Sequence, residues 1–452
     1  MPLSYEIATT TLSNGLRVVV NPDRRVPVVA VNLWVGVGSR HEAAGHTGFA
    51  HLFEHLMFQG SEHVASGEHF SAIMGVGGRL NATTWFDRTN YFETVPRGAY
   101  ELALWMEADR HGRLLPALTQ ANLDNQRDVV KEEKRQRYDN VPYGTALHTL
   151  YGLVFPLGHP YHHPTIGSMA DLDAASLADV HAFFATHYRP SNTVLTLVGD
   201  LGVQEGFAAA ERYFGDLPDR SVPEGTVRPD VPSLPPLQGP VRVDVDEVVP
   251  AKRVFLGFRL PPDNTPEFFA AAAALDVLGG LETSRLERRL VRDGAVADHV
   301  SAAAMGLVEG TSLGFLAVEV ADGHTVDEVV DVVGQELSRL GREGPSALEM
   351  ETVFAQNERA WLSSLASLEE RADHIGQQAT LYDDPRGINT VLDRLAAVTA
   401  DEVTRVAARW LDPSAAASVV YDHDERGRDH AADVAADVTP APDASTTAQE
   451  SR

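Results

Sequence analysis

The sequence predicts an α+β protein made of two homologous α/β-sandwich domains. Its 452 residues exceed what one hydrophobic core usually holds. A proline-rich run at 216–240 divides the chain near its middle, and prolines are excluded from helix interiors and central strands. The predicted strands and helices follow the same order on both sides of this run. These three observations indicate a duplicated domain rather than a short-period repeat.

The first half begins with a strand-like run at 28–42, which turn residues separate from a helix that carries His51. A β-rich stretch at 79–95 comes next, followed by a long helical region. The half closes with a helix and a last strand at 177–201. Strands joined by tight turns and followed by helices predict a sheet with helices packed on one side.

The second half repeats this order of elements. A strand and turn at 251–267 precede an alanine-rich helix at 268–280, and a β-rich stretch follows at 312–320. A closing helix and strand lie at 400–424. The offset between the two halves is one domain length, which is why we interpret the pattern as a duplication.

The domain boundaries follow from these patterns and from composition. We predict an N-terminal domain at 1–220 and a proline-rich linker at 221–240. We place a C-terminal domain at 241–424. The last segment, 425–452, is polar, acidic and poor in large apolar residues, which predicts a disordered tail.

Composition limits the possible partners. The chain has 37 lysines and arginines against 64 aspartates and glutamates, a formal net charge of −27, which disfavours nucleic acid and anionic membranes as partners. It has no cysteine, so any metal must be held by His, Asp or Glu. The N-terminus lacks a secretory signal pattern, and no stretch approaches the roughly 18–20 apolar residues that span a bilayer. We therefore expect a cytoplasmic protein.

One helix carries a candidate metal site. The segment GHTGFAHLFEHLMFQG has helical apolar spacing, with Thr47 as a candidate N-cap and Gly60 as a natural stop. On this helix His51 and His55 lie one turn apart on the same face, so both imidazoles can reach one ion. Zinc suits two imidazoles and one carboxylate, with a fourth position open to water.

Glu54 lies beside the two histidines and can reach a water held by the metal. The order H-x-x-E-H inverts the commoner H-E-x-x-H and is typical of the inverzincins. An ordinary helix surface can carry the same five residues. The zinc interpretation therefore requires a third ligand from another helix.

The segment at 123–140 offers two adjacent carboxylates, Glu132 and Glu133. Helical spacing places Glu133 on the stripe that holds Val129 and Val130, whereas Glu132 lies about 100° away around the axis. A carboxylate on the buried side of a helix needs a partner, and a zinc ion is one. We assign Glu133 as the third ligand and keep Glu132 as the alternative.

Four motifs together resemble the M16 family of zinc peptidases, which includes pitrilysin, insulinase and mitochondrial processing peptidase. They are GFAHLFEHLMFQGS, GGRLNATTWFDRTNYFETVP, NQRDVVKEEKRQRYDN and HPYHHPTIGSMADL. The resemblance spans about 1–425 and is closest in length to the short, two-domain M16B members. It implies a zinc endopeptidase with one Zn²⁺ per chain and the duplicated metallohydrolase fold of that family. In that fold, this chain would be half of a clamshell enclosing a chamber.

The resemblance also assigns individual residues. The family's E-R-x-V-V-x-x-E run ends on its zinc-binding carboxylate, which again selects Glu133. The first Glu of that run supports a zinc-binding histidine in the family. Gln126 stands in its place here, so the support would come from an uncharged amide at a modest loss of ligand basicity.

A strand that follows two glycines is the candidate substrate site. In RLNATTWF the small residues leave the backbone reachable, so an extended peptide can be added as a further strand. Candidate substrate-binding residues are Asn81, Ala82 and Thr84, and the resemblance implies that Asn81 and Ala82 contact the peptide backbone. Glu54 would act as general base on a zinc-bound water and then pass the proton to the leaving amine.

Part of the family's active site is missing from the second half. Self-sufficient members carry an Arg and a Tyr there, and the matching positions are Val291 and Asp298. We therefore expect a heterodimer, with a second M16-like chain that lacks H-x-x-E-H and supplies the Arg/Tyr pair. The alternative is a homodimer that uses another donor, such as Tyr161 or Arg285.

Two other functions remain open at this stage. M16 relatives also serve as non-catalytic core subunits, and a protease dedicated to maturing one peptide would have the same motifs. The intact zinc motif favours a peptidase over a core subunit.

Overall fold

The computed structural model describes residues 3–220, 229–247 and 249–422. Residues 221–228 of the predicted linker and the whole predicted tail lie outside the described residues. The described part of the linker, 229–240, contains no helix or strand. The domain boundaries given above therefore stay predictions.

The first half forms a six-stranded sheet in the order β1-β2-β6-β3-β5-β4. Strands β2 and β6 are parallel, and the other neighbours are antiparallel. Strand β4 lies at one edge of the sheet. The strands are β1 Ala8–Thr11, β2 Arg17–Pro22, β3 Val28–Val35, β4 Arg79–Thr84, β5 Thr89–Pro96 and β6 Thr193–Gly199.

The second half forms a five-stranded sheet in the order β7-β11-β8-β10-β9. This is the order of the first sheet without its outer strand β1, which confirms the predicted duplication. Only β7 and β11 are parallel among these neighbours. The strands are β7 Val241–Val245, β8 Arg253–Leu260, β9 Ala297–Met305, β10 Ser312–Val320 and β11 Ala417–Tyr421.

Fourteen α-helices of the described residues cover the two sheets. Those of the first half are α1 Phe49–Leu56, α2 Glu68–Gly75, α3 Tyr100–Arg113, α4 Gln120–Lys134, α5 Ala146–Val154, α6 Met169–Ala174, α7 Leu177–His187 and α8 Val203–Phe214. Those of the second half are α9 Pro266–Leu275, α10 Val326–Glu343, α11 Ala347–Ala366, α12 Leu368–Leu381, α13 Val391–Ala396 and α14 Ala400–Trp410. None of them combines the length and the apolar character needed to cross a membrane.

The two halves exchange one helix each. Helix α12 of the second half packs on β3 and β6 of the first sheet, where Ile375 lies in one core with Trp34 and Val198. Helix α5 of the first half packs on β8 and β11 of the second sheet, where Leu150 lies among apolar residues of that sheet. A Cβ added at Gly257 of β8 would lie 2.8 Å from a methyl carbon of Leu150, so glycine permits this close approach. Each sheet therefore has its second face covered by the other half.

Substitution of Leu150 tests how much the packing of α5 on the second sheet contributes to stability. Leu150 is fully buried, so we expect Leu150→Ala to lower the free energy of unfolding by about 2–5 kcal/mol through lost burial and the cavity left behind. The measurement is urea unfolding followed by circular dichroism. The matched control is Leu157→Ala just beyond α5, because Leu157 is 90% exposed. Equal stability of the two variants would contradict the packing described here.

Candidate metal centre

Helix α1 begins differently from the prediction. Gly48, not Thr47, stands at its N-cap with a φ of +88°, and the carboxylate of Glu42 accepts hydrogen bonds from the Gly48 N–H at 2.9 Å and the Ala50 N–H at 2.8 Å. The hydroxyl of Thr47 instead donates to Asp171 at 2.6 Å. The two oxygens of one carboxyl group can accept from two free N–H groups of a helix start, which a single hydroxyl oxygen does less well. Burial raises the pKa of Glu42 to about 8, against these N–H donors, which favour its charged form.

The structure brings the three predicted ligands together. Helix α1 presents His51 and His55, and helix α4 presents Glu133 across from them. The Nε2 atoms of His51 and His55 lie 3.5 and 3.2 Å from Oε2 of Glu133. One ligand atom from each residue lies within 4.8 Å of the others. All three side chains are only partly exposed.

The electrostatics of the cluster favour the protonation states that bind metal. Burial, with a smaller contribution from the neighbouring His55, lowers the pKa of the His51 imidazole to about 4. A hydrogen bond from His55 lowers the pKa of the Glu133 carboxyl, in spite of partial burial. A neutral imidazole and a charged carboxylate are the forms that coordinate zinc. Two imidazole nitrogens and one carboxylate oxygen that converge beside solvent therefore fit a catalytic zinc ion.

Helix α4 separates the two adjacent carboxylates as expected. Glu133 points towards α1, whereas Glu132 is exposed and bonds to side chains of the next turn. The apolar stripe is narrower than predicted, because Val130 is fully buried but Val129 is 42% exposed. Helix α4 packs against α1 along one line of residues spaced by three and four, and Val129 lies beside that line.

The predicted support of His51 by Gln126 is not formed. Gln126 is buried on α4, yet Nδ1 of His51 has no hydrogen-bond partner among the described residues. An amide carries no net charge, so it lacks the attraction with which a carboxylate would hold the imidazole. A different contact holds the third ligand, because Nη1 of Arg137 lies 2.8 Å from Oε1 of Glu133.

Glu54 lies on the same helix and contacts the edge strand. Its Oε2 accepts a hydrogen bond of 2.6 Å from the hydroxyl of Thr84. Burial raises the pKa of Glu54, and the Thr84 bond partly offsets this. Asn81 is exposed on β4, and its Oδ1 accepts a hydrogen bond of 2.9 Å from the N–H of Ala82. The hydroxyl of Thr84, which was predicted to bind substrate, is thus already hydrogen-bonded to Glu54.

Among the residues that the structure describes, the second half carries no counterpart of this cluster. Helix α9 takes the place of α1 in the element order, and Asp276, directly after α9, accepts a hydrogen bond of 2.8 Å from Asn357 on α11. At the positions where the family has its Arg and Tyr, Val291 packs against the second core and Asp298 is exposed on β9. A valine has no donor, and an aspartate would repel a developing oxyanion.

The two alternative donors for a homodimer, Tyr161 and Arg285, are both hydrogen-bonded inside the chain. Tyr161 is fully buried, and its hydroxyl donates to Asp87 at 2.7 Å. Arg285 is buried, and its Nε and Nη2 donate to the carboxylate of Glu349 at 2.7 and 2.9 Å. Buried groups held in this way cannot reach the active site of another chain.

A second group of buried acids and histidine was missed by the sequence analysis. Nε2 of His69 lies 2.5 Å from Oε1 of Glu93, and Glu107 completes the group. Arg110 donates to Glu107 at 2.9 Å, so a guanidinium already supplies the positive charge that an ion would bring. Burial raises the pKa of Glu93 and Glu107 to about 7 and lowers that of His69 to about 3. The residues lie on separate elements, so no sequence spacing links them.

Two family models match the chain along most of its length. The model described as Insulinase (Peptidase family M16) matches residues 17–151, and the one described as Peptidase M16 inactive domain matches residues 174–357. The chain therefore belongs to the M16 peptidase family. Both halves of the duplicated fold are covered by these matches, and all the candidate zinc ligands lie in the first.

Individual relatives and solved structures are similar to this chain. Zinc protease PqqE of Helicobacter pylori is 31% identical over 289 residues, which cover 63% of each of the two chains. The crystal structure of a protease from Helicobacter pylori has a TM-score of 0.84 at 25% identity and covers 92% of this chain and 99% of that chain. The periplasmic protease PqqL from Escherichia coli has a TM-score of 0.74 at 19% identity, and the match covers 95% of this chain but 49% of that chain.

Proposed function

We propose that this chain is a zinc-dependent endopeptidase that hydrolyses peptides held as an added β-strand. The observation that carries the proposal is the convergence of His51, His55 and Glu133, with Glu54 beside them on the same helix. Relatives that are called zinc proteases support it. His51, His55 and Glu133 would hold one zinc ion.

The chain's own residues account for the proton transfers. When bound, zinc supplies a water of lowered pKa and polarises the scissile carbonyl. Glu54 takes the proton from the attacking water and passes it to the leaving nitrogen, first as general base and then as general acid. Burial raises the pKa of Glu54, which is the direction that favours holding the proton between these two steps.

Strand β4 is the proposed place of the substrate. In an antiparallel pair of strands, residue pairs that are hydrogen-bonded to each other alternate with pairs that are not. Just beyond β4 and β5, the N–H of Trp85 donates to the carbonyl of Arg88, so this pair is a hydrogen-bonded one. The backbone groups of Ala82 and Thr84 therefore point away from β5, towards the open edge. The Ala82 N–H is covered by the Asn81 amide, and an incoming peptide carbonyl would displace that contact.

We propose further that a second M16-like chain supplies the missing Arg/Tyr pair. Val291 and Asp298 support this, because neither can stabilise an oxyanion. The match to about half the length of PqqL also supports it, since a longer protein of this fold contains room for two such units. A homodimer would leave both active sites without the pair.

The test compares the chain alone and together with an M16-like chain that carries the pair but lacks H-x-x-E-H. Each sample is loaded with zinc and incubated with a mixture of oligopeptides, and cleavage is followed by mass spectrometry. We expect one bound zinc and weak cleavage by the isolated chain. The two chains together should cleave at least about 100-fold faster, because loss of one oxyanion donor typically slows a reaction by about that factor. A metal-chelated sample is the control.

Other outcomes would contradict distinct parts of the proposal. Full activity of the isolated chain would overturn the heterodimer but keep the peptidase. Bound zinc without cleavage in either sample would favour a non-catalytic core subunit. Absence of bound zinc would overturn the metal centre itself.

A further inference from the structure

Thr84 occupies a place where the proposed substrate edge meets Glu54. It is the last residue of β4, the strand at the open edge of the first sheet. Its side chain points towards α1, and its hydroxyl donates to Oε2 of Glu54 at 2.6 Å. No other described residue donates a hydrogen bond to the Glu54 carboxylate.

The direction of this hydrogen bond follows from its acceptor, because a charged carboxylate can only accept. The hydroxyl of Thr89, the partner of Thr84 on β5, lies 3.4 Å from that of Thr84. Thr89 donates its own proton to the carbonyl of Val37 at 2.9 Å. A hydroxyl has one proton, so Thr89 does not compete with Thr84 as a donor to the Glu54 carboxylate.

The backbone N–H and carbonyl of Thr84 point in a different direction from its side chain. The bond from the Trp85 N–H to the Arg88 carbonyl makes Thr84–Thr89 a non-bonded pair of the ladder. The N–H and carbonyl of Thr84 therefore point to the open edge. One residue thus offers its backbone to a peptide strand and its hydroxyl to the group that would activate the water.

We propose that Thr84 is a positioning residue that fixes Glu54 relative to a peptide bound on β4. The inference rests on the proposed function and replaces the interpretation of its side chain as a substrate contact. A glutamate has three rotatable side-chain bonds, and one short hydrogen bond to a rigid strand end removes most of that freedom. The reacting groups must be aligned closely, since a displacement of about 1 Å can cost about 100-fold in rate.

The expected effect falls on turnover rather than on binding. Thr84→Val keeps the shape of the side chain and the backbone of β4 but removes the hydroxyl. We expect kcat on a quenched fluorescent oligopeptide to fall about 10- to 100-fold, while KM stays within about threefold. Thr84→Ser keeps the hydroxyl and should recover kcat to within about threefold of wild type. Bound zinc should stay at the wild-type amount in both variants.

The control variant is Thr83→Val. Thr83 is the neighbouring residue on the same strand, and its hydroxyl lies on the opposite face, 2.5 Å from Oδ1 of Asn90. The melting temperature of Thr83→Val shows how much the loss of one hydroxyl from this strand lowers the stability of the protein. A fall in kcat that follows the melting temperature across the three variants would overturn the positioning role.

A second measurement does not depend on activity. In a crystal structure of the zinc-free Thr84→Val protein, we expect the Glu54 carboxylate to leave its place beside β4, whereas in Thr84→Ser it should stay. An unmoved carboxylate in Thr84→Val would overturn the inference. So would a rise in KM at constant kcat, which would make the side chain a substrate contact. Wild-type protein that cleaves no peptide would count against the proposed function alone, because the crystal structures still test the position of Glu54.

Discussion

Replacing Glu133 by glutamine is expected to release zinc from the protein. Oε2 of Glu133 lies 3.2 and 3.5 Å from the imidazole nitrogens of His55 and His51, so it is the charged member of the donor set. An amide oxygen carries no net charge and binds zinc weakly. Loss of an outer-sphere partner alone costs roughly 10–100-fold in metal affinity, so we expect loss of this ligand to weaken binding by more than about 100-fold.

The chain offers a matched control in the preceding residue. Glu132→Gln makes the same chemical change one position earlier on α4, on an exposed side chain that accepts hydrogen bonds from Arg135 and Gln136 just after this helix. Zinc affinity, measured by competition with a chromophoric chelator, should be unchanged in Glu132→Gln. Equal affinities of the two variants would show that Glu133 is not a ligand.

Replacing Glu54 by glutamine is expected to separate metal binding from catalysis. Glutamine keeps the size of the side chain, and its amide oxygen can still accept the hydrogen bond from Thr84. It cannot take up a proton from water, so we expect kcat to fall about 100- to 10,000-fold, the usual contribution of a general base. Zinc content should stay at the wild-type amount, because Glu54 is not among the three converging ligand atoms.

The measurement is turnover of the same oligopeptide by the zinc-loaded protein, together with metal analysis. Glu62→Gln, in the turn that follows α1, is a control because that carboxylate is exposed. Activity within about threefold of wild type in Glu54→Gln would exclude Glu54 as the base. Loss of zinc in the same variant would assign it a ligand role instead.

The sequence predicts those features that depend on local spacing. The duplicated order of strands and helices was visible because each strand and turn has its own apolar and glycine pattern. The choice of Glu133 over Glu132 followed from the 3.6-residue period of α4, and the two side chains do point to opposite environments. The prediction that His51 and His55 lie side by side required only that both stand one turn apart on the same helix.

Other features depend on contacts between distant segments. Glu42 lies before α1 in a segment without regular pattern, so its bond to the helix start could not be read from spacing. The contact between Thr84 and Glu54 joins positions on two separate elements, which a single sequence does not relate. The exchange of α5 and α12 was missed because each helix was assigned to the half in which it lies in the sequence.

That exchange also limits how the chain can be divided. A fragment that stops between the halves would keep α5 but lose the sheet that covers Leu150, and the face of β3 and β6 that packs on α12 would be bare. Such a fragment would expose two apolar surfaces at once, a condition that favours aggregation. A cut in the connection between the halves would leave two pieces that still hold each other through the exchanged helices. We therefore expect the smallest unit that folds with the candidate zinc ligands to contain both halves.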